Sequence, residues 1–267
     1  MTEQHHALLA RLGFRFGMNG PHAARTMMLQ DLRLLLAHTA PDAVREQYAQ
    51  AVLDSNILSK PTRKARELAL HHLTTLYALD PSNPIFRALR RLWSLNEAAQ
   101  PMLALAMALA RDPLLRSTQD FVLGQEFGAL MPPKTVEAFL VSRYPERFSP
   151  ASIRSFAQNV AGTWSAAGFL SGRHTRRFRS RPISCPESLV MLLFLGFLQG
   201  RTGQRLFSSS WTDLLCVPLE ELESLAIAAS HRGLFVFMNA GGIKEVRFPG
   251  YLTAEEDLVC EELACVV

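Results

Sequence analysis

Proline placement constrains this chain more than any other feature. Pro21, Pro41, Pro61, Pro113, Pro150, Pro186 and Pro218 each stand at the head of a stretch whose apolar residues recur at helical spacing. Proline is tolerated in the first turn of a helix, where its missing N–H would be unbonded anyway, and it ends whatever helix precedes it. A chain divided this way folds as many short helices. Residues 21–37 predict one helix with Ala24, Met28, Leu32 and Leu35 inward, and residues 41–54 a second with Val44, Tyr48, Ala51 and Val52. A third, over 60–79, turns Ala65, Leu68, Ala69, His72, Leu73 and Leu76 to one side. His72 lies on that apolar face and reads as a core histidine. Between 84 and 130 three further helical segments serve as packing, with Asp112 and Pro113 as cap and first turn of the last. The expected fold class is mainly α, multi-helical, with winged helix-turn-helix elements and small β-hairpin wings. The expected regions are 1–80 (helical, helix-turn-helix-like), 81–132 (helical packing), 133–183 (basic winged element), 184–250 (second winged-helix-like element) and 251–267 (acidic tail).

The most apolar run, residues 189–198, is ten residues long, about half of the roughly 20 that a membrane span needs. It predicts a buried core helix in a soluble protein. The four cysteines, Cys185, Cys216, Cys260 and Cys265, are irregularly spaced and lack metal-ligand spacing. No signal-peptide pattern opens the chain. A reducing, cytoplasmic location is therefore expected.

Charge is unevenly distributed. The whole chain carries +4, but Glu255, Glu256, Asp257, Glu261 and Glu262 stand in a stretch without Lys or Arg, which leaves residues 1–254 at +9. A basic body with an acidic tail suggests a polyanion partner, with the tail competing for the basic surface.

Residues 133–183 concentrate the basic signal. A short helix over 134–143 is followed by a turn, then by Ser149 as cap and Pro150 as first residue of a longer helix. Ile153, Phe156, Ala157, Val160, Trp164 and Ala167 form its apolar stripe. The opposite face shows Ser152, Arg154, Ser155, Gln158, Asn159 and Gly162, with no acid among them, a face that can lie in a major groove without repelling phosphates. After Gly168 come Arg173, His174, Arg176, Arg177, Arg179 and Arg181, five arginines in nine residues. An extended segment here places Arg177, Arg179 and Arg181 on one face and Phe178 on the other, as a wing along the sugar-phosphate backbone. The competing reading is an arginine-rich loop docked on acidic protein surface. Lys60, Arg63, Lys64 and Arg66 crowd the start of the third helix, where free N–H groups and cations together suit an anion; a solvated face is the alternative.

Residues 184–250 repeat the order helix, helix, helix, hairpin. Ser184 to Glu187 resembles a capping box, and Asn239–Ala240–Gly241–Gly242 is a hairpin signal. The helix at the recognition position opens with Glu220, Glu221 and Glu223, which would face phosphate. A structural or protein-contact role is favoured, while Lys244 and Arg247 on the hairpin keep DNA contact open.

No catalytic pattern stands out. There is no GxxxxGK[ST], GxGxxG, HExxH or GxSxG; Gly13, Gly17 and Gly20 are wrongly spaced; His5–His6 and His71–His72 are adjacent pairs that cannot share one metal on a helix. Neither an enzyme, a cofactor, a metal nor a small-molecule substrate is expected.

Three ordered runs resemble a known family. The run DAVREQYAQAVLDSNILSKPTRKARELALHHLTTLYALDP contains Asn56–Ile57–Leu58–Ser59–Lys60–Pro61–Thr62, a turn leading into a basic helix. RDPLLRSTQDFVLGQEF and SPASIRSFAQNVAGTWSAAGFL supply a second and third match, with Asp112 where an aromatic is more usual and Ile153 where a threonine is. Over about residues 10–250 the chain resembles the BrxA family, small helical DNA-binding proteins of bacterial BREX phage-exclusion systems. The resemblance implies winged helix-turn-helix domains, double-stranded DNA as partner, a role in antiviral defence, and partnership with other BREX components. The rival expectation is a protein–protein adaptor within a defence complex.

Overall fold

Caps and first-turn prolines set where the helices begin. The computed structural model describes residues 3–17, 20–173 and 176–266. Helix α1 spans Glu3–Arg11, and a 3-10 turn at Pro21–Ala23 precedes α2, Leu29–His38. Next come α3 (Arg45–Leu53), α4 (Arg63–Tyr77), α5 (Pro84–Trp93), α6 (Gln100–Arg111), α7 (Pro113–Arg116) and α8 (Gln119–Leu123). α9 (Pro133–Arg143) and α10 (Pro150–Ala166) lead into a hairpin of β1 (Leu170–Arg173) and β2 (Arg176–Arg179). The last third holds α11 (Pro186–Leu198), α12 (Gln204–Phe207), a 3-10 turn at Thr212–Leu215, α13 (Leu219–His231), a second hairpin of β3 (Val236–Ala240) and β4 (Ile243–Arg247), and α14 (Ala254–Val266). The described chain is mainly helical, with two small antiparallel hairpins. Thr62, Asn83, Asp112 and Ser149 each accept a first-turn N–H, at 3.1, 3.1, 2.9 and 3.2 Å respectively. These satisfy donors that a helix start otherwise leaves open.

Two helices without a polar face form the centre. Met102 to Ala110 of α6 are all buried, as are Glu187 to Gly196 of α11. Such all-round burial needs neighbours on every side; α6 packs on α4, α5, α10 and α11, and α11 on α5, α13 and α14. The apolar run at 189–198 is thus a core helix, and no described helix is long and apolar enough to cross a membrane. One continuous cluster of buried side chains runs from Leu8 to Leu263. It draws on all five regions expected from the sequence, whose boundaries mark changes of composition without dividing the core.

Several expectations are corrected by tertiary contacts. The helix expected over 21–37 breaks between Ala23 and Leu29. His22 is drawn to Asp112, the Met27 N–H binds Thr163 Oγ1 at 2.8 Å, and Met28 takes a left-handed conformation, so helical hydrogen bonds give way to tertiary ones. Val44 and Leu68, expected inward, are exposed. No capping box forms ahead of α11: Ser184 Oγ donates to the Leu215 carbonyl, and Glu187 pairs with Arg232. The acidic tail is a docked helix. In α14, Val259, Cys260 and Leu263 are buried, Glu256 pairs with Arg87, and the Thr253 N–H binds Glu256 Oε2 at 2.8 Å. Glu255, Glu256 and Asp257 thus stand in the first turn of α14, where negative charge is favoured, and Glu256 is held against α5.

Candidate nucleic-acid interface

The interface expected at 133–183 is built on α9, α10 and the first hairpin. Val136 and Leu140 of α9 face inward against Ile153, Phe156, Ala157 and Val160 of α10, and these helices are among the most closely packed pairs in the molecule. A short stretch before α9 also joins the hairpin. Leu130 bridges Phe178 antiparallel, the Met131 N–H donates to the Arg177 carbonyl at 2.7 Å, and the Arg179 N–H donates to the Ala129 carbonyl at 2.8 Å. β2 is therefore bonded on both edges, by β1 and by residues 129–131. Gly172 allows the tight return: its φ is +90°, and a Cβ there would stand 2.1 Å from the Arg176 carbonyl oxygen.

Half of the groove face expected on α10 is covered by the protein itself. Asn159 Nδ2 donates to the His22 carbonyl at 3.1 Å, and Gly162 lies against the Thr26 methyl group. Ser152 is half-buried, its hydroxyl 2.9 Å from that of the cap Ser149. Arg154, Ser155 and Gln158 remain exposed. The open part is the N-terminal portion of the helix.

The arginines divide sharply. Arg173 and Arg176 pair across the hairpin near its tip, both exposed; His174, between them, lies outside the described residues. Arg154 and Arg181 are exposed as well, with Arg181 over the Phe127 ring at 5.2 Å. None of these four has an acidic partner among the described residues. Arg177 is half-buried; burial lowers its pKa, and its Nη1 is buried without a hydrogen-bond partner. Arg179 corrects the expected phosphate-facing row. It is 3% exposed, donates to the carbonyls of Val122 (3.0 Å) and Ser180, and lies between the rings of Phe127 and Phe169. Period two puts Arg177 and Arg179 on the same face, but that face turns into the core at the base of the hairpin, where Arg179 is opposite the buried Leu170. Residues 133–183 hold nine Lys or Arg against two acids, Glu137 and Glu146. This patch thus carries +7 in a chain of +4.

The cations expected elsewhere are largely engaged. Lys60 binds Asp31 at 2.9 Å, Arg66 donates to the Leu53 carbonyl at 2.5 Å, and Arg63 pairs with Glu67 at 3.1 Å; Lys64 has no such partner among the described residues. Lys244 is also corrected: it is 8% exposed, bound to Glu223 at 2.7 Å and to Gln204. Arg247 is exposed but paired with Glu245.

Beneath α10 lies a buried network that the sequence reading missed. His22 Nδ1 is 2.8 Å from Asp112 Oδ2 and its Nε2 is 2.7 Å from Thr163 Oγ1, with all three side chains fully buried. Burial would raise the Asp112 pKa, but the side-chain hydrogen bond and electrostatic attraction of His22, with backbone N–H donors, lower it below the ordinary value. Thr163 was detectable in principle, since it falls at helical spacing on the apolar stripe of α10. Nothing local marks His22. Among the described residues no group of acids, histidines or cysteines could hold a metal ion.

No known protein family matches the chain, and no curated protein is similar to it. A solved structure, that of an uncharacterized protein from Magnetospirillum magneticum, is similar in fold. It covers 73% of this chain and 96% of its own, with a TM-score of 0.51 at 17% identity. At that identity the likeness concerns the fold alone.

Proposed function

We propose that this chain is a double-stranded DNA-binding protein of a bacterial BREX-type defence system, acting by binding and not by catalysis. In this reading the exposed start of α10 meets a groove and the β1–β2 hairpin lies along the backbone. The observation that carries it is the set Arg154, Arg173, Arg176 and Arg181: exposed, without an acidic partner among the described residues, and clustered in chain order around one helix and one hairpin. Exposed cations left without acids are suited to phosphate. The succession α8, bridge at Leu130, α9, α10, β1, β2 is the order of a winged helix, which supports the same reading. The defence setting rests on the resemblance of three sequence runs to the BrxA family.

The adaptor reading is favoured at one place. Exposed Glu220 and Glu221 on α13 stand in the same helix–hairpin unit as exposed Ile227, Met238 and Ile243, a combination that suits protein better than phosphate.

Salt-titrated binding to a duplex tests the main reading. Four phosphate contacts give a slope of log K against log salt of about −3.6, and Arg173→Ala with Arg176→Ala removes up to about 1.8 of it. Unchanged affinity and slope in the folded double variant would refute the assignment and leave the adaptor reading in its place.

A further inference from the structure

A hollow of about 710 Å³ opens between the stretch Arg25–Arg33, Lys60, α4, and the ends of α6 and α10. Its space comes from small side chains: α4 presents Ala65 and Ala69 to it, where leucines would fill it. Its charge comes from two stretches of chain, as Arg25, Arg33 and Lys60 all line it. The single acid in its lining, Asp31, is bound through both oxygens by Lys60, at 2.9 and 3.0 Å, so the lining carries a net positive charge.

Arg33 is held in place from behind. Its Nε donates to Gln100 Oε1 at 2.9 Å, and Gln100 is itself buried and donates to the Trp93 carbonyl at 3.2 Å. Both Nη atoms of Arg33, and the whole exposed guanidinium of Arg25, have no acceptor among the described residues. A guanidinium fixed through Nε with its outer nitrogens open offers a fork to an oxyanion. Two arginines and a lysine against one carboxylate suit a group bearing at least two negative charges, which points to phosphate over a single carboxylate. The volume falls in the range of about 300–1,000 Å³ that small ligands occupy, and the alanine wall suits a flat apolar moiety.

We propose that this hollow binds a phosphorylated small molecule of mononucleotide size, with its phosphates on Arg25 and Arg33 and Lys60 at the edge. This site is separate from the DNA surface and does not depend on that reading.

Isothermal titration of the full-length chain with ATP and with inorganic pyrophosphate, without magnesium and at about 0.1 M salt, tests it. One ATP should bind per chain. Arg33→Gln should weaken ATP and pyrophosphate at least about tenfold, and Ala65→Leu, which fills the hollow without changing charge, should weaken ATP by a similar factor. Arg173→Ala with Arg176→Ala should leave both unchanged. If Arg33→Gln lowers the melting temperature sharply, Arg25→Ala, which removes no intramolecular bond, replaces it. The proposal is overturned by no saturable heat up to about 1 mM of either probe. Binding indifferent to Ala65→Leu and the arginine variants overturns it too. So does ATP binding abolished by Arg173→Ala with Arg176→Ala, which would place the anion on the hairpin.

Discussion

Replacing Asp112 by alanine should destabilise the protein more than removing any of the exposed arginines. The carboxylate receives four N–H donors: Leu114 (2.9 Å) and Leu115 (3.0 Å) on Oδ1, and the His22 backbone N–H and ring Nδ1, both at 2.8 Å, on Oδ2. The first pair is a helix cap, whose loss costs about 1 kcal/mol. The second pair is charge-assisted and fully buried, contributing about 1.5–3 kcal/mol, and its removal leaves His22 without its acceptor. Together these give roughly 2.5–4 kcal/mol, overlapping the roughly 3–5 kcal/mol typical of breaking a buried pair. In a chain of this length that lowers the melting temperature by roughly 10 °C. Urea denaturation followed by circular dichroism at pH 7 measures it. His22→Ala and the double variant complete a cycle, and the two losses should overlap by about 1.5 kcal/mol or more because they remove one interaction. A loss below about 1 kcal/mol for Asp112→Ala, or strictly additive losses, would refute the account. The pH dependence has a definite sign. The folded carboxyl titrates below its ordinary value, so the unfolded chain takes up its proton first. The stabilisation is complete above about pH 4 and is lost as pH falls further through the folded value.

Three other outcomes separate folding from binding. Arg179→Ala should cost about 3 kcal/mol in denaturation, through lost packing and stranded carbonyls, and leave the salt slope of DNA binding unchanged in the folded fraction; Arg176→Ala should do the reverse. Deleting residues 254–267 should destabilise by roughly 5 kcal/mol, since Val259, Cys260 and Leu263 leave the core, as read by thermal melting. Burial, with Asp257 and Glu256 nearby, pushes the Cys260 thiol up to about 12, so mass spectrometry after iodoacetamide treatment at pH 8 should find it unmodified in the native state and modified in urea.

What was legible in the sequence is what depends on short-range rules. The prolines at 61, 113, 150, 186 and 218, with the caps Asp112 and Ser149, placed helix starts within a residue or two, whereas those at 21 and 41 did not, since α2 begins at Leu29 and α3 at Arg45; the apolar stripe of α10 was read residue by residue. The hairpin at Gly241–Gly242 was legible because both glycines take positive φ, +59° and +82°, which that tight turn demands. What failed depended on partners distant in sequence. Arg179 and Lys244 read as surface cations because nothing local announces the carbonyl of Val122 or the carboxylate of Glu223 that takes each inward. The break before α2 was invisible for the same reason: His22 and Asp112 lie 90 residues apart. Likewise, Asn159 looked like a groove-facing side chain until the chain's own residues 20–28 were seen to occupy that side of the helix.

That occupation sets an upper bound on information. With Asn159 and Gly162 covered, the open part of α10 runs from Ala151 to Gln158, about 12 Å at a rise of about 1.5 Å per residue. Laid in a groove, that length is opposite three or four base pairs at about 3.4 Å each. A word of that size recurs about once in every 64 to 256 base pairs, against a genome offering about a million or more competing positions. On the proposed DNA-binding reading, one copy of this helix would bias where the protein rests on a duplex without giving it an address. An address would require several such short words read together, by further copies of the chain or by a partner bound alongside it.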